Sequence, residues 1–371
     1  MRVHSLTLED FRGYERAEVA LPPGTVAFVG PNGSGKTNLL EAIHLLARGD
    51  SPRARDDREM VRWGRPMARV AAEVERAEDR RRVETLLFSP EPGERRRPRR
   101  YLLDGSGKRA EDAIGEIAVV AFFPEDVDLL GAPPSTRRRY VDGTIGQVDR
   151  RHRADTRAFA RVLEQRNALL RALRDEGRPA PAELAFWDAE LCRLGAAVSL
   201  ARERYVDEIR AGFERATALF AAEQPLEIAY LTQAEGETAE ERAAAYARLL
   251  EAKRERELWQ GTSLVGPQRE DLAVTGDGRP LPSFASRGEQ RSAVLALKLA
   301  EAEWLHDRRG EHPVFLLDDV LSELDADRRE TLTSALPEGG QALLTAAVRA
   351  SLTPGIVEGA TVIPVAGGTV G

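Results

Sequence analysis

Gly30-Pro31-Asn32-Gly33-Ser34-Gly35-Lys36-Thr37 decides the reading of this chain. The eight residues fit the phosphate-loop pattern, two glycines with four residues between them, the second followed by lysine and threonine. Before them stands Thr25-Val26-Ala27-Phe28-Val29, a run with buried-strand character. After them Leu39, Leu40, Ile43, Leu46 and Ala47 fall on one face of a helix. Glycines let the backbone curl around phosphate oxygens with its N–H groups turned inward, and the helix start adds its positive end. In that frame Lys36 reaches the β- and γ-phosphates of ATP and the Thr37 hydroxyl is a ligand of Mg²⁺. Lys36 is one of four lysines among 54 basic residues. A chain that uses arginine almost everywhere keeps lysine where a compact ammonium has to fit.

Working outward, Phe315-Leu316-Leu317-Asp318-Asp319 is an apolar strand that ends in two carboxylates. This is the Walker B pattern. Asp318 is expected to hold Mg²⁺, directly or through water, and Asp319 to orient or deprotonate the attacking water. Ser322 and Asp325 follow closely. A third motif, Ala285-Ser286-Arg287-Gly288-Glu289-Gln290, leads into a helical run with Leu295, Leu299 and Ala302 on one side. Ser286 and Gly288 at a helix start make an anion site. One chain has no need of two γ-phosphate sites, so the second points to a partner's nucleotide. Ser286 lies 32 residues before Asp318, room for one helix and one strand. That order is the ABC signature, then Walker B, then the D-loop, which brings in Ser322 and Asp325 as nucleotide-proximal residues.

The expected fold is therefore α/β, an ABC-type P-loop ATPase head built from both chain ends. Val119–Phe123 and Gln341–Thr345 add two more buried-strand patterns. From about Thr136 to Leu258 the spacing turns helical, with Arg157–Leu173, Ala182–Ala216 and Ala239–Trp259 as long helices and no heptad run sustained enough for an extended coiled coil. The expected division is 1–130 with 262–371 for the ATPase lobe and 131–261 for a mostly helical insertion. Pro90–Arg100 reads as an arginine- and proline-rich loop.

Composition bounds the rest. The 371 residues are 42% hydrophobic and 31% charged, ordinary for a globular protein. No apolar run reaches membrane-span length, and the first residues read as a strand rather than a signal peptide, so a cytoplasmic location is expected. The single cysteine, Cys192, excludes an internal disulfide and reads as a packed thiol. The net charge of −7 does not advertise a nucleic-acid binder, but its distribution is uneven. Between Pro134 and Arg174 eleven arginines face four carboxylates. The patch, with Arg137, Arg138, Arg139, Arg150, Arg151 and Arg153 at its start, fits the neutralisation of DNA phosphates. It also fits plain arginine bias in the composition.

Segments outside the ATPase motifs carry a family resemblance along almost the full chain. Leu8-Glu9-Asp10-Phe11-Arg12-Gly13-Tyr14, Phe123-Pro124-Glu125-Asp126, Gly131 and Pro133, Arg137–Asp142, Gln165-Arg166-Asn167-Ala168-Leu169-Leu170, Gly266–Leu272 and Phe284-Ala285-Ser286 resemble the RecF family of bacterial recombination mediators, ABC/SMC-type ATPases. The resemblance implies a cytoplasmic protein of DNA replication, repair and the SOS response that dimerises with ATP between two heads. It implies binding to double-stranded DNA and to gapped or junction DNA with single-stranded portions, and action with RecO and RecR in loading RecA. It implies weak ATP hydrolysis that resets the clamp, and it adds Arg12 to the nucleotide-binding residues. The sequence departs from the family pattern at Gln268, where histidine is usual, and at Glu289, where glutamine is usual and Gln290 follows one place later. Thr345 stands near the place where many ABC proteins carry a switch histidine, and no Q-loop glutamine is assigned. Two other readings stay open at the level of sequence: an ABC head serving transport or defence, and a structural clamp that uses ATP as a bridge.

Overall fold

A computed structural model describes residues 1–76, 79–89, 99–177, 182–220, 224–349, 352 and 359–371. The chain forms two compact units, one of Met1–Asp128, Gly212–Glu223 and Ala285–Gly371, the other of Leu129–Ala211 and Gln224–Phe284.

The first unit holds two sheets. Strands β1 (Arg2–Phe11), β2 (Tyr14–Ala20), β4 (Met67–Arg76), β5 (Asp79–Phe88), β6 (Arg100–Leu103) and β7 (Ser106–Lys108) form an antiparallel sheet in the order β2-β1-β4-β5-β6-β7. Strands β3 (Thr25–Val29), β8 (Val119–Phe122), β12 (Val314–Leu317), β13 (Ala342–Ala346), β14 (Thr361–Ala366) and β15 (Thr369–Val370) form the other, in the order β15-β14-β3-β13-β12-β8. Its five strands from β14 to β8 are parallel. Parallel strands buried on both faces read as continuous apolar runs, and β8, β12 and β13 are buried at every residue. Helix α1 (Lys36–Arg48) buries Leu39, Leu40, Ile43, Leu46 and Ala47, the face read from the sequence. These residues join Val26, Phe28, Val314, Leu316 and Leu343 in one core cluster. The short α2 (Ala110–Ala113), α7 (Arg287–Arg309) and α8 (Ala326–Ser334) complete the unit. In open α/β sheets the carboxyl ends of parallel strands face the ligand crevice. Gly30, Asp318 and Thr345 all sit at such ends.

The second unit contains α3 (Pro134–Ile145), α4 (Arg150–Glu176), α5 (Ala182–Leu219) up to Ala211, and α6 (Ala239–Gln260). It also contains an antiparallel sheet of β9 (Leu226–Leu231), β10 (Asp271–Gly276) and β11 (Arg279–Pro280), ordered β11-β10-β9. The expected boundaries are corrected on both sides. Residues 262–284 belong here and not with the ATPase lobe, because β10 pairs along its whole length with β9. Gly212–Glu223 belongs with the first unit, where Gly212 lies against Ala300 of α7 and Arg215 pairs with Glu303. The helical run from Thr136 to Leu258 is likewise interrupted by β9, whose Leu226, Ile228 and Tyr230 alternate onto a buried face. The arginine-rich loop expected at Pro90–Arg100 lies, through residue 98, outside the described residues. Cys192 is buried and unpaired, and burial pushes its thiol up to about 11.

Candidate nucleotide site

The phosphate loop leaves β3 at Gly30 and closes into α1 at Gly35. Two glycines are sterically required. A Cβ on Gly30 would stand 2.0 Å from the Val365 carbonyl oxygen, and one on Gly35, whose φ is 109°, would stand 2.7 Å from the Tyr14 hydroxyl. Tyr14 is fully buried and donates to the Gly35 carbonyl at 3.1 Å. Burial pushes its phenol up to about 12. The loop is thus braced from one side by β14 and from the other by the Tyr14 ring.

Lys36 is 8% exposed, and its ammonium donates to the carbonyls of Gly30 at 2.6 Å and Pro31 at 2.9 Å. Pro31, Asn32 and Gly33 form the exposed crest of the loop. The Ser34 hydroxyl is buried without a hydrogen-bond partner. An orphaned donor inside a phosphate-shaped loop fits a phosphate oxygen, because an unmade buried hydrogen bond is otherwise unfavourable.

Asp318, at the end of β12, is 3% exposed. Its Oδ1 accepts from the Thr37 hydroxyl at 2.9 Å and from the Thr345 hydroxyl at 2.8 Å. Burial raises its pKa, and the two hydroxyls only partly offset this. A carboxylate strained in this way is stabilised by a cation. Thr37 and Asp318 supply hard oxygens, the donor type Mg²⁺ prefers, and Mg²⁺ commonly takes one or two protein oxygens and completes its shell with water and phosphate. Asp319 adopts φ 52°, in the left-handed region, and its N–H donates to Thr345 Oγ1 at 2.9 Å. Thr345 therefore fixes both acids at once. Only the pairing of β12 with β13 makes this role visible.

Arg12 is held by the phosphate-loop helix. Its Nε and Nη2 donate to the two oxygens of Glu41 at 2.9 and 2.5 Å, and its Nη1 to the Glu59 carbonyl at 2.7 Å. Glu41, fully buried, also accepts from Arg53 at 2.5 Å and from the Ser51 hydroxyl at 2.5 Å. Arg53 donates in addition to Asn38 Oδ1 at 2.9 Å. Its charge also lowers the Asp318 pKa, behind burial and the two hydroxyls. Neither Glu41 nor Arg53 was singled out in the sequence, since a charged residue inside an amphipathic helix carries no distinguishing pattern.

Ser286 is the N-cap of α7, as its position implied. Its hydroxyl accepts from the Glu289 N–H at 3.3 Å, and the Glu289 carboxylate accepts from the Ser286 N–H at 2.7 Å. This capping box explains the glutamate: it folds back on the cap and satisfies an N–H the helix leaves unpaired. The Ser286 interaction holds the Glu289 carboxyl below its usual range. Among the described residues no hydrogen bond joins Ser286 or Gly288 to the phosphate loop of the same chain. Ser322 donates to the Asp319 carbonyl at 2.8 Å. Asp325 caps α8 through the Arg328 N–H at 2.9 Å, and Arg328 Nε reaches Ser292 Oγ on α7 at 2.8 Å. α8 is so tied to α7.

The arginine patch divides. Arg137 is bidentate to Asp271 at 2.8 and 2.5 Å and donates to the Leu130 carbonyl, and Arg138 donates to the Glu270 carbonyl at 2.7 Å. Arg153 donates to the Gly146 carbonyl. Arg166 is fully buried between Asp188 and Glu257. As members of a DNA patch Arg137 and Arg166 are corrected: their guanidiniums are taken up by acids inside the second unit. Arg139, Arg150 and Arg151 remain exposed, Arg151 beside Asp155 at 3.6 Å.

Residues 2–360 match the RecF/RecN/SMC N terminal domain family. The chain is 42% identical over 371 residues to the DNA replication and repair protein RecF of Chloroflexus aurantiacus, covering 93% of each chain. It is 34% identical to the protein of that name from Limosilactobacillus fermentum, covering 100% of this chain and 98% of the relative. Its fold is similar to a solved structure of the recombination mediator protein RecF-ATPrS in the RecFOR pathway, with TM-score 0.89, 27% identity and coverage of 100% and 97%.

Proposed function

The chain belongs to the RecF family of SMC-type ATPases, and on that footing we propose that it is an ATP-dependent DNA-binding protein of DNA replication and recombinational repair. The observation that carries the chemistry is the convergence of Thr37, Asp318 and Thr345 at adjacent strand ends, beside a loop whose Ser34 hydroxyl lacks a partner. Lys36 neutralises the β- and γ-phosphates of ATP. Thr37 and Asp318 hold Mg²⁺, which when bound withdraws charge from the phosphates. Asp319 orients the attacking water. Its side chain is one methylene shorter than the glutamate usual in ABC ATPases, so hydrolysis is slow.

Ser286 and Gly288 meet the γ-phosphate held by a second copy of this chain, with Ser322 and Asp325 at the same interface, and Arg12 lies beside the bound nucleotide. ATP thereby closes a homodimer on duplex or gapped DNA, and hydrolysis reopens it. DNA stimulates that turnover. Arg139, Arg150 and Arg151 contribute phosphate contacts. RecO, RecR and RecA are the partners that follow from family membership. Among the described residues no helix is long and apolar enough to cross a membrane, and the protein works in the cytoplasm. A transport or defence cargo loses ground to this reading, because the relatives that match nearly end to end are replication and repair proteins.

The test is a gel shift on duplex, single-stranded and gapped DNA with and without ATP, across a salt series. Retention that requires ATP and falls steeply with salt is expected, since phosphate contacts release counterions. ATP-independent binding with a flat salt response would overturn the proposal.

A further inference from the structure

Arg62-Trp63-Gly64-Arg65 is a tight turn with the Arg65 N–H donating to the Arg62 carbonyl at 3.0 Å and Gly64 at φ 75°. Trp63 at its tip is 100% exposed. Nothing about the turn is loose. The Arg62 N–H donates to the Asp10 carbonyl at 2.7 Å, and Val61 bridges Phe11. The Asp10 carboxylate takes Arg62 at 3.3 Å and Arg65 at 3.4 Å, while Glu15 takes the other end of Arg62 at 3.0 Å. Asp10 and Arg12 both have φ near 50°, a conformation uncommon outside glycine that persists only where the surroundings hold it. A rigid frame therefore presents a bare indole to solvent. A rigid aromatic loses little conformational freedom when it is covered, and its apolar face gains only once something covers it.

We propose that Trp63 is a stacking platform for an unpaired nucleobase at the edge of a gap or duplex end. The inference rests on the DNA-binding reading above and adds a residue and a DNA feature to it. The charged surroundings select a base. Arg55, Arg58 and Arg65, all exposed, lie within eight residues of Trp63, with Arg58 paired to Asp56 and Arg65 to Asp10, and aromatics set near cations are how single strands are held without sequence preference. Bases inside a duplex have both faces covered, so a fixed indole reaches only a base at the edge of a stack.

The test uses the full chain with ATP and a gapped duplex carrying 2-aminopurine at the gap edge, beside an ungapped duplex of equal length. Quenching of the 2-aminopurine on binding is expected for the wild type and for Trp63→Phe, and its loss for Trp63→Ala. Affinity of Trp63→Ala for the gapped DNA falls about tenfold, within the range for losing one base–aromatic stack, while ungapped duplex binding and ATP binding stay unchanged. Trp63→Ala that quenches and binds gapped DNA like the wild type overturns the proposal and leaves the indole to a protein partner. Equal loss on both DNAs also overturns it, by making Trp63 a general contact. Wild-type protein that binds neither DNA defeats the DNA-binding reading itself, before any variant is compared.

Discussion

The Thr345 hydroxyl donates to the Asp318 carboxylate at 2.8 Å across two neighbouring parallel strands. The same oxygen accepts the Asp319 N–H at 2.9 Å, so one threonine sets the position of the proposed metal ligand and the backbone of the proposed water-orienting residue. Thr345→Val keeps the shape and removes both bonds. It should slow ATP hydrolysis by about tenfold or more and lower stability by roughly 1–3 kcal/mol, because a buried N–H is left unpaired. Thr345→Ser should restore most of both. Single-turnover hydrolysis alongside thermal melting checks this; turnover in Thr345→Val equal to wild type would show that Thr345 does not tune the acids.

Asp319→Asn should keep ATP binding and dimerisation, cost about 10²-fold in residual hydrolysis as for the loss of a general base, and lengthen the dimer's lifetime on DNA. Asp318→Asn should act earlier, by weakening Mg²⁺ binding. A magnesium titration of both variants separates the roles. Wild-type turnover in Asp319→Asn would place the base elsewhere.

Ser286→Arg should leave ATP binding intact and stop ATP-driven dimerisation, since a bulky cation blocks a partner's phosphate from the start of α7. Glu289→Gln should dimerise at least as well as wild type, because glutamine also closes a capping box and carries no charge toward that phosphate. Light scattering with ATP and Mg²⁺ reads both outcomes. Normal dimerisation of Ser286→Arg would remove the signature from the interface.

Asp142 accepts from Arg202 through both oxygens at 2.7 Å and from His152 at 3.0 Å. Burial opposes its ionisation, but Arg202 and His152 outweigh it and take the carboxyl from 3.8 down to about 2. A folded pKa below the unfolded one contributes stability that is present above the unfolded value and disappears as pH falls through the folded one. Between about pH 4 and pH 2 the wild type should lose roughly 2 kcal/mol through this group. Asp142→Asn, less stable at neutral pH because Arg202 is left buried without its countercharge, should show a shallower loss over that window. Parallel urea melts at several pH values give the comparison, and identical slopes would deny Asp142 this part.

Much of this protein was legible as text because its chemistry is local. Gly30 to Thr37, the run into Asp318 and Asp319, and Ser286 at a helix start each occupy a few consecutive residues whose backbone geometry follows from their own sequence. The apolar runs announced the parallel strands, since burial on both faces removes alternation. What depended on distant partners did not show. The segment 262–284 changed units because β10 found β9, about forty residues earlier in the chain. Arg137 and Arg166 looked like surface charge until Asp271, Asp188 and Glu257 were seen to claim them. Glu41 gathers Arg12 from one segment and Ser51 and Arg53 from another. Spacing along the chain determines which way a side chain points on its own helix or strand, and so it determined the motifs. Whether a charge is free or bound, and whether a tryptophan is covered or bare, is settled by what the fold brings opposite it, and only the tertiary structure decided that.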